Sequence, residues 1–120
     1  MPRFLTLIKL DETAAAAPRS PGFAERMGTL FEEISKAGVM LDTAGLAPTA
    51  EGVRVVWSGG GLTDTEGPFG GGDDAILGYS MIQARDRAEA VEWVRRFLAA
   101  HDDHLTITAE VREVREFDGA

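Results

Sequence analysis

The sequence contains no cysteine. That excludes disulfides, thiolate metal sites and cysteine nucleophiles. Basic residues are also scarce: 12 Lys and Arg stand against 20 Asp and Glu, for a net charge of −8. Nucleic acids and anionic membranes both call for a basic face, so neither is an expected partner. No apolar run approaches the roughly 18 residues of a membrane span. Met1-Pro2-Arg3-Phe4-Leu5 leads straight into a strand-like run rather than a signal peptide, and a cytoplasmic location is the default expectation. Gly59-Gly60-Gly61 and Gly70-Gly71-Gly72 lack the Lys-Ser/Thr and the helix that a phosphate loop needs. The two histidines, His101 and His104, sit together near the end of the second helix and no nucleophile elbow is present, so no Ser-His-Asp arrangement can be argued. They lack a third ligand in view, and Asp64, Glu66, Asp73 and Asp74 match no calcium loop. Neither a metal nor a cofactor is expected.

What is present suits one globular domain spanning 1–120. The chain has 120 residues, 44% hydrophobic and 27% charged, close to the average for folded proteins. Arg3–Leu10 reads as a strand with Phe4, Thr6 and Ile8 on one face and Leu5, Leu7 and Lys9 on the other. Both faces are largely apolar, as in a central strand covered on two sides. Asp11–Arg19 is expected to be a loop: Thr13–Ala17 could turn helical, but Pro18 ends that. Ser20 followed by Pro21 reads as a helix N-cap. The helix itself carries Phe23, Met27, Leu30, Ile34 and Ala37 as one apolar stripe, and Gly38 stops it. Gly28 within that helix suggests close packing.

Val39-Met40-Leu41 is a short extended return. Val53–Trp57 is a second strand, and Leu62–Thr65 a short third one. Ala75–Gln83 is again apolar on both faces. Asp86 and Glu89 form a capping box for a second helix to about Ala100, with Val91, Val94, Phe97 and Leu98 turned inward. Thr106–Val111 alternates as a last strand, and the pattern shifts register at Val114 and Phe117.

The order is an α+β, ferredoxin-like split βαβ plan with two helices on one face of an antiparallel sheet. Nothing in the chain is left to cover the other face. Burial of apolar surface contributes roughly 25 cal/mol per Å², so a wet sheet face forfeits many kcal/mol. A homodimer packed sheet to sheet is the expected remedy.

Chemistry concentrates in Glu66-Gly67-Pro68-Phe69, a Gly-Pro turn between a carboxylate and an aromatic ring. Glu66 is the candidate general base. Arg54 sits in an apolar strand and is expected to share a cleft with Glu66 or Asp64, or to hold an anionic ligand. Pro68, Phe69 and Tyr79 complete the candidate ligand-binding set with Arg54, Asp64 and Glu66. The competing reading makes the loop a turn that only fixes strand geometry.

Several stretches resemble YCII-related proteins of the DGPF type. They are Leu30–Leu41, Gly45-Leu46-Ala47-Pro48 and Gly52-Val53-Arg54-Val55 in the front half. Thr63–Phe69 resembles the hallmark loop, Leu77–Ile82 its following strand, and Ala88–Trp93 the second helix. Glu66 stands where that family has Asp, and three glycines replace a polar run. The resemblance implies a ferredoxin-like subunit pairing as a dimeric α+β barrel. Two functions compete under it. One is binding of a small polar or anionic molecule near the loop. The other is a regulatory or interaction module that meets a transcription regulator without catalysis.

Overall fold

A computed structural model describes residues 1–116. Its elements run β1 (Arg3–Lys9), α1 (Glu12–Ala16), α2 (Phe23–Ala37), β2 (Met40–Gly45), β3 (Val53–Ser58), β4 (Gly61–Glu66), β5 (Ile76–Gln83), α3 (Arg87–Ala99) and β6 (Thr108–Glu113). Four strands form an antiparallel sheet in the order β2-β5-β1-β6, and β3 with β4 forms a separate hairpin. This is the ferredoxin-like arrangement, with the hairpin inserted between β2 and β5.

The strand pattern explains the centre. Phe4 and Thr6 on β1 are buried at 0% and 1% exposure, and Phe4 pairs with Ile82 of β5. Leu5 and Leu7 point the other way and are half-buried. The core under the helices gathers Phe4, Leu30, Ile34, Val39, Ile82, Ala84, Ala90 and Ala100. Burying a ring such as Phe4 contributes about 1.5–3 kcal/mol.

The helices end as their sequences require. Gly38 caps α2 in the left-handed region, φ 68°, and its N–H reaches the carbonyls of Ile34 and Ser35. At α3, the Asp86 carboxylate accepts from the Glu89 N–H at 2.9 Å. The Glu89 carboxylate reaches back to the Arg85 N–H at 3.0 Å, one residue before the cap.

Four expectations change. Asp11–Arg19 is not all loop: Asp11 accepts from the Ala14 N–H at 2.9 Å and starts α1. Ser20 does not cap α2. Its N–H and hydroxyl are taken by Asp102, so the helix begins at Phe23 after Gly22. Gly28 is exposed and a Cβ there would meet nothing within 4 Å, so close packing does not explain it. In α3 the buried residues are Ala90 and the expected Val94, while Val91, Phe97 and Leu98 are half-buried. Smaller shifts move boundaries: β2 extends to Gly45 and β6 starts at Thr108. The expected register change at Phe117 lies outside the described residues.

Candidate functional site

The Glu66–Phe69 loop is clamped from below. After β2, a short 3-10 turn at Thr49–Glu51 leads through Gly52 into the hairpin. The returning chain meets this turn again at Gly67, whose N–H donates to the Gly52 carbonyl at 2.9 Å. A Cβ on Gly67 would lie 1.7 Å from the Thr49 carbonyl oxygen, so only glycine allows this approach. Thr49 is buried and tied to α1: its hydroxyl and N–H donate to the Glu12 carboxylate at 2.5 and 3.2 Å. The Gly67–Pro68 peptide is cis. Phe69 then lies against Gly52, and the Arg54 guanidinium stacks 4.3 Å from the centre of the Phe69 ring.

The hairpin ladder separates the candidate charges. Val53 pairs with Glu66, Arg54 with Thr65, and Val55 with Asp64. Side chains alternate along a strand, so Glu66 and Asp64 share a face with Val53 and Val55, and Arg54 points to the opposite face. The expected Arg54–Glu66 and Arg54–Asp64 pairings do not form. Arg54 makes no ion pair among the described residues. The structure therefore brings Arg54 and Phe69 together and leaves Asp64 and Glu66 behind them. Every residue of β3 and β4 is exposed, including Trp57 and Leu62 at 69% each.

Tyr79 lies elsewhere, on the outer face of the main sheet. Its hydroxyl donates to Asp42 at 3.0 Å, and that bond, with the carboxylate's charge, raises the phenol above its ordinary value. The His101–His104 stretch is a structural corner. His101 packs between Phe23 and Phe97, and Asp102 is buried against Ser20 and Arg26. Among the described residues no three His, Asp or Glu side chains gather as a metal site.

Sequence reasoning missed Glu12 and Thr49, which hold the loop, and Asp42, which holds Tyr79. Polar residues at element ends are common, and only their pairing across the fold gives them meaning.

A four-stranded antiparallel sheet with two long helices on one face, a hairpin inserted after the second strand and a Gly-Pro loop beside it defines a small α+β protein of ferredoxin-like type. The YCII-related domain model matches residues 3–118, and the chain belongs to that family. No curated protein matches it.

Proposed function

We propose that this YCII-related protein is a homodimer that binds a small anionic molecule on the Arg54–Phe69 platform. The observation that carries the reading is the guanidinium stacked 4.3 Å over Phe69 and free of carboxylate partners among the described residues. Stacking fixes the plane of the fork and leaves its edge N–H groups for a bidentate carboxylate or phosphate. The Gly67 clamp makes the platform rigid, so little ordering is lost on binding.

An exposed arginine binds weakly in water, so the site needs a cover. The half-exposed outer sheet face with Leu5, Leu7, Tyr79 and Met81 supports pairing of two chains, which would bring a second surface near the arm. Glu66 faces away from the platform. A general-base role for it would require a substrate that reaches around the arm, so binding without turnover is the simpler reading.

The test is a thermal-shift and calorimetric series with phosphate and small dicarboxylates, alongside light scattering for mass. The expected result is a dimer stabilised by an anion in wild type. Arg54→Lys weakens the effect, Arg54→Ala abolishes it, and Glu66→Gln leaves it intact. Equal anion responses in wild type and Arg54→Ala would reject the platform.

A second reading rests on the arm's other face. Val53, Val55, Trp57 and Leu62 share it, at 49–69% exposure. Such a stripe suits a protein partner, and a Trp57→Ser variant that loses a purified partner while keeping its anion response would favour it.

A further inference from the structure

A cavity of about 370 Å³ lies between the helices and the sheet, away from the Arg54–Phe69 platform. Its walls include the aromatic rings of Phe31, Trp93 and Phe97. Its floor crosses three strands. Thr43 of β2 pairs with Ser80 of β5, and Ser80 pairs with Thr6 of β1. All three line the cavity, so three hydroxyl residues lie side by side on an otherwise apolar floor. Strands are spaced about 4.7–4.9 Å apart, so the row spans roughly 10 Å.

The row descends into the protein. Thr43 is exposed, Ser80 half-buried and Thr6 only 1% exposed. The Thr43 hydroxyl donates to the Tyr79 carbonyl at 3.0 Å. The Thr6 hydroxyl oxygen is fully buried and has no hydrogen-bond partner among the described residues. Folded proteins pair nearly all such groups, and an unpaired one calls for an explanation. Valine has the same shape and would fill a purely structural position in this core without the penalty.

We propose that the cavity is a second ligand site, for a planar and largely apolar molecule with a hydroxyl or carbonyl oxygen on one edge. An apolar cavity of about 150 Å³ holds benzene, so this one has room for about two rings. The aromatic walls pack against the ring faces in offset or edge-on geometry. The polar edge meets Ser80, and the Thr6 side chain, which lines the cavity, turns its buried hydroxyl to the same edge by a change of rotamer. This site takes an apolar ligand and uses neither Arg54 nor Phe69, so it stands independently of the anion platform.

The probes are 2-naphthol and naphthalene, which share two rings and differ by one hydroxyl. Binding is followed by amide NMR shifts in the full chain. The expected result is saturable shifts at Thr6, Ser80 and Thr43, with 2-naphthol bound about threefold to tenfold more tightly than naphthalene, as one buried hydrogen bond allows. Thr6→Val brings 2-naphthol down to the naphthalene level and leaves naphthalene unchanged. Ser80→Ala, which keeps Thr6, weakens 2-naphthol less than Thr6→Val does. The proposal is overturned if neither probe gives saturable shifts at these residues. It is equally overturned if both probes bind wild type and Thr6→Val alike.

Discussion

Ser20 and Asp102 are joined twice, by the Ser20 N–H at 2.8 Å and the Ser20 hydroxyl at 2.5 Å on the two carboxylate oxygens. Arg26 adds a third contact to the same carboxylate at 3.0 Å. The link ties the approach to α2 to the turn after α3. The hydrogen bonds from Ser20, more than the Arg26 charge, hold the Asp102 carboxyl below its ordinary value of 3.8. A folded-state value below the unfolded one gives stability that is present above the unfolded value and lost as pH falls through the folded one. Asp102→Asn is therefore expected to lower Tm at neutral pH and to shrink the loss of stability below about pH 4. Thermal melts of both proteins across the acid range check it.

His101 gives a second pH dependence, in a higher window. Its ring centre lies 5.2 Å from that of Phe23 and 4.8 Å from that of Phe97. Burial, the largest influence, pushes its value below 6.5, although the Phe97 carbonyl at 2.9 Å pulls the other way. The unfolded chain then takes up this proton first as pH falls. Stability is full above pH 6.5 and declines as pH drops through the folded value. Imidazole NMR is expected to show His101 titrating below 6.5, and His101→Phe to flatten the stability curve in that interval.

The features read correctly in advance were local ones. Phe4 and Thr6 alternate with Leu5 and Leu7, Gly38 follows an apolar stripe, and Asp86 stands three residues before Glu89. Each signal lies within one turn or one pleat. The relationship of Arg54 to Glu66 is different, because it depends on where the hairpin folds back. Gly59-Gly60-Gly61 can serve as a two-residue or a three-residue turn. The chain uses Gly59 and Gly60, both with positive φ, which pairs Ser58 with Gly61 and Arg54 with Thr65. A three-residue turn would instead pair Ser58 with Leu62 and Arg54 with Glu66, placing both charges on one face. The Ser20–Asp102 link was illegible for another reason: 82 residues separate the partners, and Ser-Pro before a helix also fits a cap.

The same substitution is expected to act in opposite directions at two glycines. Gly67→Ala places a methyl group 1.7 Å from the Thr49 carbonyl oxygen, which is backbone and cannot swing aside. The loop must lift from Thr49, at a cost of about 1–3 kcal/mol or more. Gly28→Ala meets nothing within 4 Å on an exposed face of α2 and gains up to about 1 kcal/mol of helix propensity. Urea unfolding of the two variants checks both signs. A tolerated Gly67→Ala would show that the loop is not clamped as described.

Thr6→Val tests the interior without any ligand. Thr6 sits on the central strand between Ser80 and Val111, and its hydroxyl is buried without a partner among the described residues. The methyl group of the side chain packs as valine's would, so the swap conserves shape and removes only the stranded donor. A buried unsatisfied polar group costs about 1–3 kcal/mol, and an apolar isostere recovers part of that. Ordinary core substitutions destabilise, by about 1 kcal/mol on average. An increase in Tm for Thr6→Val is thus the opposite of the usual result and specific to an unpaired hydroxyl. Differential scanning calorimetry of the ligand-free protein decides it, since a decrease in Tm would mean that the hydroxyl is satisfied in solution. The gain in stability should accompany the loss of affinity for a hydroxylated ligand, because a side chain kept polar for binding is a poor choice for the empty core.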